Sequence, residues 1–171
     1  VNVLAESSVG AIVTSGNPDP GVDNSLVGVD FRYLNTRLGD RRSIEATAWF
    51  QQTDTEGLED DDSGYGFRFA MPNSEGWSGE IVHKVLEENY FPALGFAART
   101  DFEATFGGIG YTWRPEDSWI RSIATEVGAE FVEPVNGSDR SHEIYFQLLE
   151  AENQAADRLT LEHLFFEEEF V

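Results

Sequence analysis

Carboxylates are the chain's most abundant reactive groups: thirty-two Asp and Glu stand against eleven Lys and Arg in 171 residues. Two carboxyls roughly 5–10 Å apart, one with a raised pKa, suffice to hydrolyse a glycosidic bond. So many acids form such pairs by chance, so abundance nominates no particular pair and no catalytic residue is assigned. A serine nucleophile has no support either. Gly-x-Ser-x-Gly is missing, and Ser141 and His142, as neighbours on one strand, point to opposite faces. The densest acidic run, Glu59-Asp60-Asp61-Asp62 with Asp54 and Glu56 just before it, offers oxygen ligands of the kind calcium takes. It lacks the fixed acid spacing and central Gly of a calcium loop and reads as a solvated acidic loop. His83, His142 and His163 stand alone on separate segments, without zinc-site spacing. Gly107-Gly108-Ile109-Gly110 falls inside a strand pattern, not at a strand-to-helix turn, so it is no phosphate cradle. With no cysteine, disulfides and thiolate chemistry are excluded. No metal or cofactor is expected.

The formal charge of −21 and pI near 4.2 repel phosphate backbones, which excludes nucleic acid as a general partner. Lys84 is the only lysine, and an acidic, arginine-biased surface fits a salt-rich, halophilic habitat. With 40% apolar and 13% aromatic residues, the chain folds and is not a disordered acidic tail. No apolar run approaches the ~20 residues of a spanning helix. A spanning barrel escapes that test, because its strands alternate.

The elements that must position these groups have a period of two. Val27, Val29, Phe31 and Tyr33 alternate with Gly28, Asp30 and Arg32; Ile44, Ala46, Ala48 and Phe50 with Glu45, Thr47 and Gln51; Tyr65, Phe67, Phe69 and Met71 with Gly66, Arg68 and Ala70. Ile123, Val127 and Phe131 likewise face away from Glu126 and Glu130, and Ile144, Phe146 and Leu148 from Glu143 and Gln147. Nine strands are expected, near 3–14, 25–37, 42–53, 65–71, 77–86, 102–114, 119–132, 141–151 and 158–166. Long connections at 15–24, 54–64, 87–101 and 133–140 alternate with short ones at 38–41, 72–76, 115–118 and 152–157, as in an up-and-down membrane barrel. Trp77, Trp113 and Trp119 flank the short turns, where barrels carry an interfacial aromatic girdle. Asp30, Arg32, Glu45, Arg68, Glu80, Lys84, Glu126, Glu130, Glu143 and Glu162 would line a polar lumen, with the Val, Ile and Phe faces toward lipid. His83, His142, His163 and Arg121 interrupt the apolar faces and are expected near the interfaces.

Ser8-Val9-Gly10-Ala11-Ile12-Val13-Thr14 with Asn24-Ser25-Leu26-Val27-Gly28-Val29-Asp30-Phe31 resembles paired strands of a group of uncharacterised bacterial outer-membrane barrels. Asn89-Tyr90-Phe91-Pro92-Ala93-Leu94-Gly95-Phe96-Ala97-Ala98-Arg99-Thr100-Asp101-Phe102 resembles that group's most recognisable segment, with Tyr90-Phe91 departing from its usual Phe and small or polar residue. Tyr111-Thr112-Trp113-Arg114-Pro115 and the stretch from Leu159 to Val171 are similar to later strands. Members usually carry a domain similar to family-nine carbohydrate-binding modules ahead of the barrel. The resemblance therefore implies an outer-membrane location, lipid as partner, and a link to saccharide or polymer handling. Its motif residues here are Asn89, Phe91, Pro92, Leu94, Gly95, Phe96, Arg99, Asp101 and Phe102.

The expectation is an all-β, antiparallel up-and-down meander over 1–171, one segment of a bacterial outer-membrane β-barrel acting as anchor or conduit. Nine is odd where such barrels close on even counts, and Val1-Asn2-Val3-Leu4 is no signal peptide, so the chain reads as an internal piece. A soluble β-sandwich or small closed barrel with a ligand pocket is the alternative fold, and a membrane-attached hydrolase the alternative activity. Pro92 and its neighbours would fold loop 87–101 inward as a plug, or pack it over the rim.

Overall fold

The computed structural model describes residues 4–19, 21–39, 42–137 and 140–169. Nine strands follow one another: β1 (Ser8–Ser15), β2 (Asn24–Asn35), β3 (Ile44–Thr55), β4 (Ser63–Met71), β5 (Gly76–Leu86), β6 (Phe102–Trp113), β7 (Ile120–Glu133), β8 (Arg140–Asn153) and β9 (Arg158–Glu169). They form one antiparallel sheet in sequence order, with β1 and β9 at its edges. The all-β meander expected from the alternation is the observed fold. Among the described residues no helix is long and apolar enough to cross a membrane.

Register turns the alternation into two chemically distinct faces. One row crosses the sheet through Arg32, Thr47, Arg68, Val82, Phe106, Glu130 and Glu143, and the neighbouring row of that face through Glu45, Ala70, Glu80, Gly108, Gly128 and Tyr145. A row of the opposite face reads Phe31, Ala48, Phe67, His83, Thr105, Phe131 and His142. A slip by one residue in any strand would exchange the faces, so the pattern pins the register. Three irregularities, at Ile120/Ser122, Ala124/Glu126 and, last, Gln147/Leu149, shift the phase in β7 and β8. The last leaves Leu148 outside the β8–β9 ladder and exposed.

Strict alternation of loop length is not observed. The connection 36–43 is as long as 16–23, although 72–75 and 154–157 are short as expected. Asn35 ends β2 early by taking the Arg37 amide on its side-chain oxygen (3.0 Å), an Asx turn where further strand was expected. The first strand also starts later than expected. Residues 4–7 bend away instead, and the Glu6 carboxylate accepts the Thr36 amide (2.9 Å) and hydroxyl (2.7 Å) across from β1. Those bonds, with Arg37 nearby, hold the Glu6 carboxyl below its ordinary range. This clasp is present above the ordinary Glu pKa and is released as pH falls through the depressed folded value.

Among the described residues buried apolar side chains are few, and four of the six gather at one end of the charged face. Leu26, Leu86, Tyr90 and Phe102 form the cluster, with Trp49, Ala97, Ala104 and Val132 against it.

Candidate functional site: the charged face and its inward loop

Arginines tie the charged face together in a chain. Arg32 Nε donates to Glu45 Oε1 (2.9 Å), Arg68 Nη1 to Glu45 Oε2 (3.2 Å), and Arg68 Nε to Glu80 Oε2 (2.7 Å). A single exposed pair is worth about 0–1 kcal/mol, but a shared carboxylate fixes both guanidinium planes at once. Beyond it, the Tyr145 hydroxyl donates to Glu126 Oε1. Between these groups lies a cleft of about 180 Å³, lined by Arg68, Glu80, Phe106 and Glu126 over Gly108 and Gly110. The registers place all ten charged residues expected on one face there, nine of them Asp, Glu or Arg. Lys84 itself stands 4.8 Å above the Phe102 ring.

Glycines set how close these side chains can lie. A Cβ on Gly128 would stand 2.6 Å from the Tyr145 hydroxyl oxygen and nearer still to its ring. Glycine in a strand normally costs about 0.5–1 kcal/mol relative to alanine. Here overpacking of about 1–3 kcal/mol outweighs that gain. Gly128→Ala is therefore expected to destabilise the fold by about 1–2 kcal/mol, whereas Gly107→Ala, with no atom closer than 4.0 Å, is expected not to. Parallel denaturant titrations check the ordering.

The connection 87–101 folds onto the charged face. Tyr90 is 6% exposed, packed with Leu26, Leu86 and Phe102, and its hydroxyl donates to Gln51 Oε1. Phe91 is held through its backbone: its amide donates to Thr53 Oγ1 (3.2 Å), and its carbonyl accepts Asn24 Nδ2 (2.9 Å). Asn89 Nδ2 donates to the carbonyls of Glu59 (3.2 Å) and Asp60 (3.0 Å), and its amide to that of Asp61 (2.8 Å). Pro92 opens a turn closed by the Gly95 amide (2.8 Å), and this lifts Leu94 and Phe96 outward. Arg99 lies 5.4 Å from the Phe102 ring, and Asp101 Oδ1 accepts the Asn136 amide of the next long loop (3.0 Å). The structure thus brings the nine motif residues together as one loop lying on the charged face, with its footing.

Burial raises the Tyr90 hydroxyl's pKa above the ordinary tyrosine value. Its contribution to stability is complete below about pH 10, the unfolded value, and is lost as pH rises through the higher folded one. The difference between ultraviolet titrations of wild type and Tyr90→Phe is expected to show one tyrosinate forming later than an ordinary tyrosine. A difference curve centred at the ordinary value would show the ring unburied.

The acidic run serves a different end from the one its composition suggests. Its backbone carbonyls at Glu59, Asp60 and Asp61 receive Asn89, and that of Asp62 receives the Thr53 amide and hydroxyl. Asp60 and Asp61 both adopt positive φ to present them. Glu56 Oε2 accepts the Asp23 amide (3.4 Å), and Asp54 sits within β3 opposite Ser25. Among the described residues no three carboxylates or histidines come together as a metal-holding group.

Trp77 and Trp113 lie on the apolar face at the short-turn end, both more than half exposed, with Trp77 edge-on to Tyr111 at 5.2 Å. Trp119 is 73% exposed just before β7. Of the polar residues expected near interfaces, Arg121 and His142 are at strand ends, where Glu152 (2.8 Å) and Glu167 (3.4 Å) meet them. His83 lies three residues from the end of β5, in the same row as His142, and His163 lies in the middle of β9. The His83 ring stacks on Phe67 (5.5 Å), and its Nδ1 is 2.9 Å from Thr105 Oγ1, so the polar edge is satisfied within the sheet. Ser141 and His142 oppose Val132 and Phe131 and face opposite ways, leaving no Ser-His pair. Sequence reasoning missed Asn24, Gln51, Thr53 and Tyr145, neutral polar residues whose roles depend on partners tens of residues away. Set beside known proteins, the chain matches no family model, no curated protein and no solved structure.

Proposed function

We propose that this sheet is wall of a bacterial outer-membrane β-barrel, an anchor or conduit with lipid on its apolar side and a polar lumen on the other. One observation carries the reading: an uncovered apolar face runs across the sheet through Val13, Val29, Phe67, Ile81, Ile109 and Phe131, all exposed. Its reverse holds the linked Arg32, Glu45, Arg68 and Glu80. In water, an apolar surface spread over so many strands far exceeds the few hundred Å² a soluble monomer ordinarily shows. In a bilayer the same surface is the solvent-matched one, and the Trp77, Tyr111 and Trp113 rings at one margin suit the headgroup region. The family resemblance adds saccharide or polymer as the first cargo class to try. The test is the protein's behaviour without amphiphile. It is expected to require micelles or vesicles for a monodisperse, β-rich state and to resist alkaline extraction from vesicles. A monodisperse, folded protein in plain buffer sinks the reading in favour of a soluble all-β binding module.

A further inference from the structure

Resting on the barrel reading, we infer that segment 87–101 is a latched constriction: it narrows the lumen at the long-loop end, and Asn24 and Tyr90 are the latch. The segment leaves β5 and enters β6 on the same side of the sheet as Arg68 and Glu80; Tyr90 and Phe91 bond to that face, and Asn89 ties the segment to the neighbouring connection at the rim. Three separate footings hold it: Tyr90 to Gln51 on β3, Phe91 to Asn24 on β2 and Thr53 on β3, and Asn89 to the β3–β4 connection. A loop that only needed ordering would be satisfied by its own Pro92–Gly95 turn.

The latch has an intrinsic weakness. Asn24 is 4% exposed, and its Nδ2 donates both to Thr55 Oγ1 (2.8 Å) and to the Phe91 carbonyl (2.9 Å). The carbonyl can only accept, which fixes the amide's orientation and leaves the buried Asn24 Oδ1 with no protein donor among the described residues. Closing the loop desolvates that oxygen without compensation, so the closed state is held by less than its bond list suggests. Release of the loop returns Oδ1 to water. Meanwhile the segment's apolar outer side is already solvent-facing, Phe96 at 89%, so opening newly exposes only Tyr90, Ala97 and the Leu26, Leu86 and Phe102 side chains they cover.

The experiment uses the whole chain in vesicles and planar bilayers, comparing wild type, Asn24→Ala and Tyr90→Phe. The second variant removes one hydroxyl and keeps the ring's packing, guarding against a folding defect in the first. Because the chain has no cysteine, Ala97→Cys placed in each background supplies a single thiol on the loop itself, at a half-buried position packed against the cluster beneath it. The expected result is maleimide labelling of that thiol at least several-fold faster in both latch variants, with a matching rise in single-channel conductance. Faster labelling at unchanged conductance overturns the constriction, leaving an ordering role at the rim. Unchanged labelling overturns the latch. Inserted, alkali-resistant protein that conducts in no background also overturns the constriction. Failure to insert is read separately, by extraction, and removes the barrel reading and the lumen with it.

Discussion

Ile81→Arg is expected to weaken folding into a bilayer by about 2–4 kcal/mol, the cost of a cation on the lipid face near the midplane of a spanning barrel. Ile81 is at the centre of β5, 43% exposed, between Phe69 on β4 and Gly107 on β6. Nothing in the sheet covers it, and Gly107 leaves room for a longer side chain, so steric strain does not contribute. In water the same substitution at so exposed a site would change stability by no more than about 0.5 kcal/mol. The two readings of the apolar face therefore differ by a factor of several in one measurement. Ser78→Arg is the control: it lies three residues away in the same strand but on the charged face, beside Glu80 and Glu126 around the cleft. A cation there meets carboxylates and is expected to be tolerated. Equilibrium unfolding by urea from vesicles, read by tryptophan fluorescence, gives both values. If Ile81→Arg and Ser78→Arg cost the same, the apolar face does not meet hydrocarbon.

The architecture was legible because one variable, side-chain polarity, alternates with the pleat, and nothing else is needed to assign strands and faces. Asp30, Arg32, Glu45, Arg68, Glu80 and Glu130 could be grouped before any coordinate was known, since the meander makes sequence neighbours into spatial neighbours. The same rule gave nine strands within a few residues, and failed where a side chain competes with the ladder. Asn35 turns the chain at the β2 end, and Glu6 draws residues 4–7 off the sheet. The site was harder to read. Asn89 and Phe91 stood out, yet what Phe91 contributes is its backbone, which carries no residue signature. Tyr90, a departure from the resembling segment, proves to be the loop's buried anchor. Its hydroxyl reaches Gln51, thirty-nine residues away in sequence, and no local pattern encodes that distance. The acidic run reads as a solvated loop, and its structural part was not legible. Its carbonyls, which every residue has and no side-chain pattern marks, do the holding.

Phe102→Ala is expected to cost about 3 kcal/mol and to loosen 87–101 before the sheet unfolds. Truncating a buried Phe typically costs about 3–5 kcal/mol, transfer plus cavity. Phe102, 8% exposed, belongs to the one cluster of buried apolar side chains, and the low end applies because the cluster is roofed by a loop that can collapse into the space. Lys84 Nζ at 4.8 Å and the Arg99 guanidinium at 5.4 Å lose the ring face as well, each worth about 0.5–1 kcal/mol at a partly exposed site. The loss falls first on Tyr90, which packs on Phe102 from the loop side, and through it on the Phe91 and Asn89 footings. Phe69→Ala, removing as large a ring from the 40%-exposed apolar side, leaves no cavity and is expected to cost less than half as much. Urea titration in micelles ranks the two global effects, and protease cleavage within 87–101 under native conditions reads the local one. Should Phe69→Ala prove the costlier, or should the loop of Phe102→Ala resist protease as well as wild type, the cluster beneath the loop is not what holds it inside.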